Sequence, residues 1–160
     1  MDVEPVAPIR LVIRTAAPAE VAWAFVTDSQ RVEQWFTAAS PIGAVGEPYV
    51  LDFGEGSVVQ GAIVELEPGR TFAHRWAWLD AEPRQETLVT WVVRPLEDGG
   101  AEIELRHEGW DEAGADDAIR DDHEAYWSGY LDDLRDLLEE ARGADEASGA
   151  DPAAAGGGAD

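Results

Sequence analysis

Asp116–Arg142 reads DDAIRDDHEAYWSGYLDDLRDLLEEAR, and the recurrence of its apolar residues decides the fold. Ile119, His123, Tyr126, Trp127, Tyr130, Leu134, Leu137, Leu138 and Ala141 repeat with a period of about 3.6 residues, the signature of one helix face. The other face carries Asp121, Asp122, Asp132, Asp133, Asp136, Glu139 and Glu140. This is a long amphipathic helix, and so wide an apolar stripe must lie on a surface of matching width.

The residues before it supply that surface. Tyr49–Phe53, Ser57–Leu66, Thr71–Leu79, Glu86–Arg94 and Ala101–Glu108 are rich in β-branched and aromatic residues and are separated by turn chemistry. Glu67-Pro68-Gly69-Arg70 places proline and glycine at the central positions of a type II turn, and Glu97-Asp98-Gly99-Gly100 makes a second tight connection. Strands joined this closely pair antiparallel. Nearer the N-terminus, Ile9–Thr15 reads as a strand, and Pro18 opens a helix to about Thr27 whose Val21–Val26 run is apolar nearly all round. A short helix over about Ser29–Phe36 presents Val32, Trp35 and Phe36 on one side, and SPIGAVGEP then reads as loop. The order predicts an α+β fold, a curved antiparallel sheet wrapped around a long C-terminal helix with two short helices after the first strand. Such a grip leaves a cavity. Residues 9–142 form the single expected domain, between a flexible N-terminus over 1–8 and a disordered acidic tail over 143–160.

Composition narrows the function. The 160 residues hold seven tryptophans, no cysteine, three histidines and eleven basic residues, all arginine. A net charge of −23 repels phosphate backbones and anionic lipid, so nucleic-acid and membrane partners are not expected. The absence of cysteine agrees with a reducing compartment, and MDVEPVAPIR lacks the basic start and apolar run of a signal peptide. A cytoplasmic protein is expected. The acidic helix face reads as a solvated shell, with a basic protein partner as the alternative.

Four segments, PAEVAWAFVTDSQRVEQWF, GAIVELEPGRTFAHRWAW, ELRHEGW and YWSGYLDDLRDLLE, resemble the heat-shock protein 90 ATPase activator homologue family in composition and order. The resemblance runs from about Ile9 to Ala141. It implies the helix-grip fold of the wider START and birch-pollen-allergen (SRPBCC) superfamily, with an internal cavity. Its members include co-chaperone domains and proteins that bind or sequester natural products. Matching positions such as Trp23, Trp35, Gly61, Pro68, Trp127 and Leu131 are architectural, so the resemblance supplies no catalytic residue.

Strand alternation then proposes a site, because residues two apart share a face. Phe72, His74, Trp76 and Trp78 fall together, as do Val89 with Trp91 and Ile103 with Leu105 and His107. If these faces line the concave side, the helix residues His123, Tyr126, Trp127 and Tyr130 cover them, and Trp110 borders the rim. Flat apolar surface punctuated by imidazoles suits a small hydrophobic, aromatic or polycyclic ligand. Convergence of all three histidines would also allow a transition-metal site or general acid–base chemistry, as in a cyclase-like or hydrolase-like enzyme. No H-x-x-x-H pair, nucleophile elbow or phosphate loop accompanies them, so no metal, cofactor or catalytic residue is expected.

Overall fold

The computed structural model describes residues 6–80 and 85–150, with side chains described to residue 141. Seven strands form one antiparallel sheet in the order β1-β7-β6-β5-β4-β3-β2, curled as a half-barrel. They are β1 (Ile9–Thr15), β2 (Ala38–Ala39), β3 (Pro48–Asp52), β4 (Val58–Glu67), β5 (Thr71–Trp78), β6 (Thr87–Pro95) and β7 (Ala101–Glu108). The helices are α1 (Ala19–Thr27), α2 (Ser29–Trp35), α3 (Trp110–Ala113) and α4 (Asp117–Ala150). The expected α+β architecture, its antiparallel order and its long terminal helix are all present. Two short elements, β2 and α3, were not legible, because two residues and a single turn are too short to show a period.

Local chemistry sets the boundaries. Pro18 occupies the N-cap position of α1, and the Asp28 carboxylate accepts from the Gln30 amide at 3.0 Å to start α2. Gly69 adopts a φ of 81° and the Arg70 amide donates to the Glu67 carbonyl at 2.9 Å, which closes the turn between β4 and β5. Gly61 sits where β4 comes against β5: a Cβ there would lie 2.1 Å from the Arg75 carbonyl oxygen. A bulge between Ile63 and Glu65 follows, and such a bulge adds bend and twist to its strand.

Trp127, Leu131, Leu134 and Leu138 seal α4 onto the concave face, with Phe25 and Val26 of α1 and Trp35 of α2 completing the core. The acidic face of α4 is not wholly given to solvent. The Glu139 carboxylate accepts from the Thr15 hydroxyl at 2.7 Å and the Ala16 amide at 3.1 Å, tying the helix to the end of β1. Of the segment expected to be loose at the start, residues 1–5 lie outside the described residues. The Val6 amide donates to the Asp111 carboxylate at 3.0 Å, and Arg120 donates to the Ala7 and Pro8 carbonyls at 3.0 and 3.1 Å. Of the expected tail, Gly143 to Ala150 continues the α4 backbone and residues 151–160 lie outside the described residues.

On the convex side the strand alternation alone misplaces Glu104, which looks solvated by its pattern. Its side chain is fully buried beneath Arg10, Arg94 and Arg106, at 2.8, 2.9 and 2.7 Å. Burial by itself would raise this carboxyl, but the three guanidiniums outweigh it and hold the pKa down at about 2.

Candidate functional site

One end of the concave face is left unfilled by α4, and a cavity of about 450 Å³ lies there. The end of β5 supplies Trp76 and Trp78, and α4 supplies His123, Tyr126, Trp127 and Tyr130. Phe36, just past α2, and Phe53, just past β3, close two further sides. The tight turn Gly54–Ser57 forms part of the lip, where Glu55 is exposed, and Tyr126 opposite it is 68% exposed. For scale, about 150 Å³ of apolar cavity holds one benzene, so this space takes a molecule of two or three fused rings.

Ring packing makes the wall stiff. Phe36 stands against Trp127 at 5.0 Å and Tyr130 at 4.8 Å between ring centroids, and Phe53 meets Trp78 at 5.1 Å. Trp76 crosses Trp78 at 90° and lies 5.2 Å from Trp127. These separations are those of edge-to-face and offset aromatic pairs.

The histidines are committed to this scaffold. His107 Nδ1 accepts from the Trp127 indole at 3.0 Å, so its other nitrogen carries the proton and donates to the Thr87 hydroxyl at 2.6 Å. That hydroxyl donates in turn to the Trp76 carbonyl at 3.3 Å. His123 takes the opposite tautomer: Nδ1–H donates to the Ile119 carbonyl at 2.8 Å and Nε2 accepts from the Trp78 indole at 3.1 Å. Both rings are therefore neutral. Burial pushes the His107 pKa well below the usual range, with the neighbouring His123 and His74 adding to the shift. Burial also lowers His123, and it pushes His74 down to about 4 against the hydrogen bond to the Arg75 carbonyl.

The structure separates the thirteen side chains proposed from sequence. Trp76, Trp78, His123, Tyr126, Trp127 and Tyr130 meet at the cavity wall. Phe72, His74, Val89, Trp91, Ile103, Leu105 and His107 face the same interior but are packed behind the wall, each at most 3% exposed. Register explains the split for the histidines. Ile9, His107, Val89, His74 and Ile63 form one row across the sheet, which puts His74 two strands from His107, about 10 Å away at ordinary strand spacing. His123 alone approaches His107, at 5.5 Å between ring centroids. Among the described residues no three histidine, cysteine or acidic side chains are grouped to hold a metal ion. Trp110 is not at the rim: it is buried beneath His107 at 4.3 Å, with its indole donating to the His107 carbonyl at 2.9 Å.

Sequence reasoning missed Phe36, Phe53 and the Gly54–Ser57 turn. Phe53 had a signal, since Tyr49, Leu51 and Phe53 continue one alternating face, whereas nothing local shows the turn folding over the cavity. One further feature was invisible: the Trp76 indole N–H, buried at the wall, has no hydrogen-bond acceptor.

A family model described as activator of Hsp90 ATPase homolog 1-like protein matches residues 16–139. No curated protein matches the chain. Among solved structures, DynU16 of the dynemicin biosynthetic locus superposes with a TM-score of 0.74 and 25% identity over 84% of this chain. The match spans 48% of the DynU16 chain. Protein MLL2253 from Mesorhizobium loti gives a TM-score of 0.74 at 19% identity, over 84% of this chain and 98% of that one. The Aha1 dimer from Colwellia psychrerythraea gives 0.69 at 22% identity, over 83% and 96%.

Proposed function

The chain belongs to the activator of Hsp90 ATPase homolog 1-like family, and from that premise we propose that it binds a small hydrophobic, aromatic or polycyclic molecule in its cavity. The carrying observation is the cavity of about 450 Å³ walled by seven aromatic side chains on three sides of the grip. A volume in the range of about 300–1,000 Å³ with few polar groups is that of a small-molecule pocket. Sequestration or transport is sufficient to explain it, with no catalytic step, because the wall histidine holds its proton on Nδ1 and its lone pair on an indole. The likeness to a protein of the dynemicin biosynthetic locus supports a natural product as the cargo. In this reading Phe36 and Phe53 join the six wall residues in touching the ligand, and the seven side chains behind them hold the wall in place. A cysteine-free chain is suited to the cytoplasm, where we place it; no helix among the described residues is long and apolar enough to cross a membrane.

Titration with a panel of polycyclic metabolites, read by tryptophan emission and melting temperature, tests the proposal. Quenching is expected for planar guests, and its loss on changing Phe36 or Trp127 to a filling aliphatic residue ties the signal to the cavity. A panel that shifts neither reading removes the ligand-binding function. The family description favours a second reading, an interaction module that stimulates a chaperone ATPase. Stimulation by protein with an empty cavity would select it.

A further inference from the structure

We propose that the cavity's ligand is a lipophilic cation, a fused-ring compound carrying a protonated or quaternary nitrogen that sits at the mouth beside Glu55. This rests on the ligand-binding reading above and names the chemistry of its guest. Seven phenylalanine, tyrosine and tryptophan side chains line the space beside the His123 imidazole, and Glu55 is the one charged side chain among the lining residues; no arginine is among them. Aromatic faces carry the negative lobe of a quadrupole, so a wall of them attracts a cation brought close and out of water. The wall imidazole adds no opposing charge, since His123 is neutral and its pKa is lowered. A guest anion would meet ring faces, a carboxylate and a chain of net charge −23; a guest cation is drawn in by all three.

The backbone supplies a second, independent observation. Glu55 has a φ of 54° and is the one non-glycine residue at positive φ among those described, set between Gly54 at 92° and Gly56 at 86°. Left-handed backbone favours glycine, and a longer side chain held there is the kind of local strain that collects at binding sites. The turn beneath it is fixed by the Phe53 amide on the Ser57 carbonyl at 2.8 Å and the Gly54 amide on the Asp52 carboxylate at 2.8 Å. No ion pair among the described residues includes Glu55. A carboxylate is thus held on a pinned turn at the lip, with no ion-pair partner among the described residues.

Three probes of one shape test this on the full chain: 9-aminoacridine as the cation, acridine at pH 8 as its neutral counterpart, and acridine-9-carboxylate as the anion. Affinity is read by tryptophan quenching and calorimetry. The cation is expected to bind at least about tenfold more tightly than acridine, and the anion most weakly. Glu55→Gln keeps the backbone and is expected to shrink the cation's advantage over acridine to less than about threefold, chiefly by weakening the cation's Kd. It removes one of 34 acidic residues, so diffuse attraction to the surface would survive it. Equal binding of cation and neutral probe, or a preference that persists in Glu55→Gln, overturns the cation and leaves hydrophobic binding standing. If none of the three binds, the cavity reading falls and this inference with it.

Discussion

At the scale of single residues, the tryptophans divide by what their indole N–H meets. Trp127 donates to His107 and Trp78 to His123, whereas the Trp76 N–H is buried without an acceptor. Trp76→Phe and Trp127→Phe remove similar apolar surface, but the second also strands a buried imidazole nitrogen. It should cost about 1–2 kcal/mol more, measured from urea midpoints. Equal losses would show that the Trp127–His107 bond contributes nothing. Glu55→Gly should move stability the other way, by up to about 1 kcal/mol, because glycine accepts positive φ without a Cβ clash. A destabilised Glu55→Gly would mean that the turn depends on the carboxylate rather than being strained by it. None of these roles was readable in sequence, where Trp76, Trp78 and Trp91 look alike. Trp91 is edge-on to Trp35 and Trp127 behind the wall, a placement set by three separate elements.

At the scale of elements, two glycines make opposite predictions. A side chain at Gly61 would meet the Arg75 backbone, so Gly61→Ala must push β4 from β5 and should cost about 3 kcal/mol or more. Gly129 lies on the exposed side of α4 with nothing within 4 Å of a would-be Cβ. Gly129→Ala should therefore stabilise by roughly 0.5–1 kcal/mol through helix propensity alone. Thermal melts of the pair check both signs. The elements themselves were largely legible: strand pattern and turn chemistry located six of the sheet's seven strands, all but β2, and the 3.6 period located α4. Alternation also correctly put Trp76 and Trp78 on one face. It could not say where along that face the helix stops filling the concavity, because this depends on how α4 sits across seven strands.

For the whole molecule, burial of neutral histidines couples folding to pH. The folded chain keeps His74, His107 and His123 below the ordinary pKa of 6.5, so the unfolded chain takes up protons first. This contribution is fully present above pH 6.5 and is lost as pH falls toward the folded value, about 4 for His74. A shift of that size carries about 3 kcal/mol for one ring. Glu104 acts in the same direction lower down, between 4.5 and about 2, as protonation dissolves its pairing with three arginines. Melting temperature should thus fall from pH 7 to pH 5, with proton uptake on unfolding seen by calorimetry in buffers of different ionisation enthalpy. A flat profile would contradict neutral buried rings. The sequence by itself determined the element order, the antiparallel pairing and the helix that is gripped, because periodicity and turn chemistry act over a few residues. Tertiary structure alone decided which aromatics face a cavity, which histidines meet, that Glu104 is buried and that Glu55 reaches the mouth. Those facts depend on strand register, sheet curvature and helix placement, which join residues far apart in the chain.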